Sequence, residues 1–480
     1  MNCIRRRKPS YRCNTSTRSN NTNHMEKTET NDSRGLFQLT CLKLAEILRS
    51  ERNKKLALGV GSGIFVKGMA FIFTMITVPL TLHYLGQEQY GVWVTMISLL
   101  AWVSLVDIGL ANGLTTLLSV EFGKGRFDLA RAYIATAFWA LTAIALFVGG
   151  LIAACWHWID WGHLFNVESP DLAAQISQAM GLAVGIFLLS LPMTITQRIY
   201  LANQQGFTAN MWQFASSLAG VLGIYLVTKI GGNLSSLVLG YSGAQLGVGL
   251  VNMVWLFGWS KPHMRPFVLP DILQLKTVMT MSGLFFVNQI ATLLVFQKDN
   301  ILITHYLGPA QAAQYSVVWQ MFLYLNVINM LIAPYLGPAF GDAYSKNDLR
   351  WMRIAVTRYL LATFVFAIVA VSALSIFCRP ILAMWVGSNL IPDMSLVFWI
   401  AALSLLLSIQ WPIISLLNST GRLRVFTCVY GFAAFVNLIL SLFLIPFVGI
   451  QGGVIASLST LALIVLLPSV KELLNVLREK

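Results

Sequence analysis

Charge is what this sequence has least of. Asp, Glu, Lys and Arg make up 11% of its 480 residues, against about 25% in soluble domains. Hydrophobic residues reach 56% and the mean hydropathy is +0.69. That balance excludes a soluble globule with a large core and implies a polytopic membrane protein. Catalytic and nucleotide signatures are missing too. No GxxxxGK[ST] is present, so there is no P-loop. Gly59, Gly61 and Gly63 alternate, but they precede an apolar run, which is not a nucleotide fingerprint. No HExxH and no GxSxG occurs. The six cysteines form no CxxC pair and no Cys/His cluster with zinc spacing, which excludes a zinc module. Cys155 and Cys378 fall at the outer ends of the third and ninth expected spans, where a disulfide would tie the two halves together. They are read as unpaired and buried.

What is present is apolar length. From Gly59 onward, candidate spans of about 20 residues each lie near 60–82, 90–118, 133–155, 176–197, 211–228, 235–257, 277–304, 312–335, 355–377, 395–417, 425–446 and 450–470. Residues 1–55 are polar and lack an apolar h-region, which argues against a secretory signal peptide. Most of that segment is expected to be disordered, with a short amphipathic piece from Leu36 to Leu48 lying on the membrane surface. Met25 is an alternative start.

The net charge of +14 is placed as a topology signal, not as a nucleic-acid groove. Thirteen Lys and Arg precede Leu56. Alternate gaps hold sixteen more, among them Lys124, Arg126, Arg131, Arg198, Lys261, Arg265 and Arg353, while the intervening gaps hold only Lys229 and Arg379. The basic side should be cytoplasmic and should carry both termini. The outward gap that begins Trp156-His157-Trp158 reads as an interfacial aromatic belt in preference to a sugar platform.

The chain also repeats itself. His83-Tyr84-Leu85-Gly86 recurs as His305-Tyr306-Leu307-Gly308, 222 positions later. Tyr90-Gly91-Val92-Trp93 is echoed by Tyr315, Val317 and Trp319, and Asp128-Leu129 by Asp348-Leu349. Leu201, Asn203 and Gly206 resemble Leu416, Asn418 and Gly421. The offset equals six helices, so the two copies share orientation. The expected organisation is an all-α membrane protein of about twelve spans in two tandem six-helix lobes. It comprises a cytoplasmic N-terminal segment (1–55), one lobe (56–257), a linker (258–276), a second lobe (277–471) and a tail (472–480). HYLG is expected to be a structural corner at the outer end of each lobe's first helix.

Ionisable residues inside spans are the candidate site. An intramembrane charge costs about 2.5–3.5 kcal/mol on insertion scales and normally faces a cavity or a partner. Lys67 lies in span 1, roughly 10 Å from its cytoplasmic end at helical rise, and Asp107 lies deep in span 2, where it is expected to pair with Lys67. Lys298 and Asp299 are adjacent in span 7 and point about 100° apart, so they are not expected to neutralise each other. Asn288, Gln289 and Asn300 make the same span unusually polar, which predicts that it lines a hydrated central cavity. Lys67 and Lys298 on facing walls would suit an anionic substrate, since a phosphate or diphosphate needs a cation wherever it leaves water.

The run YLGQEQYGVWVTMISLLAWVSLVDIGLANGL (84–114) resembles the first hairpin of Wzx-type polysaccharide flippases, of the multidrug/oligosaccharidyl-lipid/polysaccharide (MOP) superfamily. Leu85, Gly86, Tyr90, Gly91 and Trp93 carry the resemblance, with Asp107, Gly109 and Leu110 and the basic gap FGKGRFDLARA (122–132). It covers roughly residues 57–475. It implies a MATE/MOP-like fold and transport of an O-antigen or similar repeat unit on undecaprenyl diphosphate across the bacterial inner membrane by alternating access. Membrane lipids and other polysaccharide assembly proteins would be its partners, with no nucleic acid. The resemblance implies no cofactor; coupling to a proton or sodium gradient would fall to a carboxylate. Two other classes stand beside it. A drug/cation antiporter of the same superfamily would rely on Asp107 or Asp299, and a polysaccharide polymerase would need a large outer loop, which is missing.

Overall fold

The apolar runs fold as helices, the form in which a chain crossing lipid can satisfy its own backbone. The computed structural model describes residues 51–268, 270–326, 329, 336, 339–387, 392–420 and 423–478, and among these there is no strand. Residues up to Ala57 form one unit and Leu58–Lys480 a second. The surface helix expected at Leu36–Leu48 lies outside the described residues.

Helix α1 (Glu51–Val103) turns at Gly86, which has φ 75° and ψ 174°. A 3₁₀ turn, Ser104–Asp107, breaks the second expected span, and α2 (Leu110–Gly123) completes it. Helix α3 (Phe127–Cys155) follows the basic gap. Helix α4 (Pro170–Ser190) opens with Pro170 in its first turn and Ser169 as its cap. Pro192 interrupts the span before α5 (Thr194–Ala202). Helix α6 (Gly206–Ile230) stops at Gly231 in the left-handed region. The next span, Leu234–Ser260, carries π turns on both sides of α7 (Ala244–Trp255). Helices α8 (Ile272–Phe296) and α9 (Lys298–Leu307) meet at a break on Gln297. Helix α10 (Pro309–Leu323) starts after Gly308, with φ 95° and ψ 161°. Helices α11 (Leu349–Ile376), α12 (Met394–Ser419), α13 (Leu423–Val448) and α14 (Gly452–Thr460) follow.

Among the described residues, eight helical stretches are long and apolar enough to cross a membrane. Leu58–Asp107 has 50 residues and Phe426–Arg478 has 53, roughly 75–80 Å at helical rise against about 30 Å of hydrocarbon. Each therefore holds two of the expected spans, which turn at Gly86 and at Gly449 (φ 82°). Both HYLG copies place their glycine in the same backbone region, positive φ with ψ near 180°, which glycine alone visits at low cost. The corner reading of the motif therefore holds.

The gaps sort onto two ends. At one end the Tyr84 hydroxyl donates to the carbonyl of Gly232, and the rings of His163 and His305 lie 5.4 Å apart. Trp156 and Trp161 pack on each other there, at 4.8 Å between centroids. At the other end Arg131 Nε donates to the Arg265 carbonyl at 3.1 Å and Asn210 Nδ2 to the Gly59 carbonyl at 2.9 Å. Arg353 Nε donates to the Leu477 carbonyl at 3.0 Å. The gaps expected to be basic thus gather together, away from HYLG.

Among the described residues the buried core falls into three clusters. One apolar cluster runs through both repeats, from Val92 and Met96 near the HYLG corner to Ile303, Val317, Phe322 and Leu403, and reaches Phe426 beside the basic gap. At the basic end there are two separate clusters. One holds Leu114, Leu118, Ile134 and Ile199, and the other Phe340, Met352, Val356 and Leu416. Helix α8 straddles them: Val278 belongs to the first repeat's basic-end core, while Ala291 and Val295 belong to the shared one. It can approach α2 because a Cβ on Gly113 would stand 2.2 Å from Ser282 Oγ.

Candidate substrate cavity

The break in the second span is built around Asp107. Its Oδ1 accepts from the Gly109 N–H at 2.9 Å, and this short loop holds Ile108 at φ 49° and Gly109 at φ 69°. A β-branched residue at positive φ stores about 1–3 kcal/mol of strain and persists only where its surroundings impose it. Irregular backbone at membrane depth is tolerated where protein or a cavity covers it. Asp107 makes no salt bridge within 4 Å among the described residues, and the expected pair with Lys67 is not formed. Arg198, a half-buried residue of α5, is near enough for its charge to act on Asp107, with no salt bridge between them among the described residues. The bend at 104–109 turns the carboxylate to cap its own loop, which takes it off the regular helix face that the pairing assumed.

Lys67 lies on the wall of a cavity of about 620 Å³. Phe71 and Met75 of α1, Met321 of α10, Tyr324 just after it, and Ile381 and Trp385 of the Cys378–Trp385 helix line it. The walls are apolar apart from the ammonium and the Tyr324 hydroxyl, which bonds Thr74 Oγ1. Trp385 Nε1 donates to the Met75 carbonyl at 2.9 Å and fixes the far wall. Elements from both repeats therefore line an open, largely apolar groove, with Lys67 exposed on its wall.

Lys298 and Asp299 do neutralise each other, contrary to the expectation from helix geometry. Nζ stands 2.6 Å from Asp299 Oδ1, and both side chains are almost fully buried. The reason is the break at Gln297: both residues sit in the first turn of α9, and the long lysine folds back onto its neighbour. The Tyr315 hydroxyl donates to Asp299 Oδ2 at 2.8 Å. Gly453 of α14 gives the carboxylate its room, since a Cβ there would lie 2.6 Å from Oδ1. Lys298 thus faces the protein interior and not an open wall.

The other polar residues of this stretch tie helices together. Asn288 Nδ2 donates to Thr427 Oγ1 of α13 at 2.9 Å, and Asn300 Nδ2 to Ser98 Oγ of α1 at 3.0 Å. Gln289 Nε2 donates to the Ser104 carbonyl at 3.3 Å, taking up a carbonyl at the broken turn.

One cavity was not anticipated. About 400 Å³ of space lies among α4, α5, α6 and the span around α7. Its polar lining is hydroxyl and amide groups: Gln197 from α5, Gln213, Ser216 and Ser217 from α6, and Ser242 and Gln245 near α7. A signal for it exists in the sequence. Gln213, Ser216 and Ser217 fall at i, i+3 and i+4, as do Ser242, Gln245 and Gly249 at i, i+3 and i+7, one face of each helix. A search for charges passes over them.

Residues 56–343 match the family model described as polysaccharide biosynthesis protein. The chain belongs to this family. Its long apolar helices make it a multi-pass membrane protein. Two curated relatives are a putative O-antigen export protein of Yersinia pseudotuberculosis and a putative O-antigen transporter of Salmonella typhimurium. The first is 22% identical over 52% of this chain and 57% of its own length, the second 23% over 55% and 62%. The chain thus spans less than two thirds of these relatives' length. Among solved structures it is similar to an inward-facing multidrug resistance transporter of the MATE family and MOP superfamily. The TM-score is 0.73 at 12% identity, covering 86% of this chain and 98% of that one. The lipid II flippase MurJ in an inward closed conformation gives 0.64 at 14% identity, over 86% and 88%. These likenesses establish the fold.

Proposed function

We propose that this family member is a flippase, not an enzyme. It moves undecaprenyl-diphosphate-linked oligosaccharide repeat units, O-antigen or another surface polysaccharide, to the periplasmic leaflet of the bacterial inner membrane. The observation that carries this reading is the Lys67 groove: an exposed ammonium on the wall of an open, largely apolar space lined from both repeats. A polyprenyl diphosphate has those two needs, an apolar wall for its chain and a cation for its phosphates. The basic end faces the cytoplasm by the positive-inside rule, with both termini on that side. Alternating access of two lobes, 56–257 and 277–471, would move the substrate between the two sides. Asp107, at the broken helix and near Arg198, is the carboxylate best placed to couple transport to a proton or sodium gradient.

Complementation tests the reading. In a strain lacking its flippase and making a defined repeat unit, surface polysaccharide is measured with the parent protein, Lys67→Ala and Lys67→Arg. The parent should restore polymer, Arg should retain part of it and Ala should lose most. Full restoration by Lys67→Ala at equal protein level would overturn the assignment of Lys67.

A further inference from the structure

The second cavity lies within the first repeat, apart from Lys67, and no charged side chain lines it among the described residues. Its polar groups fall into two sets. Tyr200, Asn252 and Thr196 bond one another, with the Tyr200 hydroxyl 3.1 Å from Asn252 Oδ1 and Asn252 Nδ2 3.0 Å from Thr196 Oγ1. That set is a closed, buried scaffold. Gln197, Gln213, Ser216, Ser217, Ser242 and Gln245 form the other set, and none of them takes part in any hydrogen bond, ion pair or ring contact among the described residues. None of the six is buried, so their amides and hydroxyls stand open to the cavity, where a ligand's hydroxyls can replace water. They converge on one space, on the faces of three helices.

The chemistry of that lining selects its ligand. Each glutamine offers two donors and one acceptor oxygen, and each serine a donor and acceptor together. Sugar hydroxyls donate and accept in the same way. Trp212 and Phe187 supply the apolar surface on which a sugar ring can lay its C–H face. The volume, about 400 Å³, falls within the ~300–1,000 Å³ range of ligand pockets and admits a short saccharide. A carboxylate-bearing sugar would enter without a counter-charge, at a desolvation cost that the neutral lining does not repay.

We infer that this cavity is a sugar-selecting subsite, which takes uncharged residues of the saccharide while Lys67 serves the diphosphate. The inference rests on the flippase reading for its substrate, but the subsite and that reading fail separately. The full chain in nanodiscs is titrated with three probes: bare undecaprenyl diphosphate, the same lipid carrying a neutral trisaccharide, and the same lipid carrying a glucuronate-containing trisaccharide. The neutral glycolipid should bind about tenfold tighter than the bare lipid, and the acidic one no tighter than the bare lipid. Gln213→Ala with Gln245→Ala should erase that tenfold, the size expected for losing two hydrogen-bonding side chains. Bare-lipid binding should persist, which also shows that the variant is folded. Ser217→Ala gives the same test with a smaller excision. Equal binding of neutral and bare lipids by the parent, or an undiminished preference in both variants, overturns the subsite and leaves the flippase reading standing. Failure of the parent to bind any of the three lipids overturns both.

Discussion

Lys298→Met separates a structural cation from a transport cation. The ammonium is 2% exposed and stands 2.6 Å from a carboxylate that is itself 3% exposed. Tyr315 gives Asp299 one further hydrogen bond, and Gly453 closes over it. Removing the lysine leaves that carboxylate with a phenol and no counter-charge. Breaking one side of such a buried pair costs about 3–5 kcal/mol. Removing both charges, as Lys298→Met with Asp299→Asn, should recover much of the loss, because the desolvation cost disappears along with the attraction. The coupling in a double-mutant cycle should therefore reach about 2–3 kcal/mol. Denaturant unfolding of the purified protein in one detergent, followed by tryptophan fluorescence, measures all four forms. Polysaccharide export per unit of folded protein should barely change in the double variant. The reasoning is refuted if Lys298→Met unfolds like the parent while export collapses, since Lys298 would then be acting on the substrate.

Exchanging the charges of Asp107 and Arg198 should recover export lost in each single reversal, whereas exchanging those of Lys67 and Asp107 should not; export assays on the six variants decide it. Gly113→Leu forces a side chain into Ser282 of α8, an overpacking worth about 1–3 kcal/mol, and should lower thermal stability and raise cysteine labelling of a probe placed at Val278. Burial lowers the pKa of Lys261, outside the spans, below 10.5. Between its folded value and 10.5 the unfolded chain holds the extra proton, so stability should rise with pH across that window. Lys261→Met should flatten the rise in unfolding midpoints measured from pH 8 to 10.5.

The helical fold, the duplication and the sorting of loops were legible because each rests on many residues. Hydropathy sums over a span, and a positive-inside bias sums over loops. The site was less legible because it turns on local breaks. Regular helix geometry points Lys298 and Asp299 apart, and the break at Gln297 cancels that geometry. The bend at 104–109 likewise turned Asp107 onto its own loop, and the left-handed Ile108 that makes the bend is not signalled by its residue type. Arg198 itself looked like an ordinary loop cation. The neutral cavity escaped because serines and glutamines carry no cost obvious enough to stand out in an apolar chain.

The meeting of the HYLG corners has a consequence for how such a chain arose. Gln87 Nε2 donates to the Ala310 carbonyl at 3.1 Å, and Gly91 has no Cβ because the Pro309 carbonyl occupies its place. At the repeat's offset of 222 residues, positions 87 and 88 correspond to 309 and 310. The contact therefore maps onto its own neighbours, as happens where two identical surfaces meet across a twofold axis. A single ancestral half-length chain could have closed this contact with a second copy of itself. The contact would then be older than the fusion, and the glycine that ends each copy is held by a backbone that other residues adopt only at a cost.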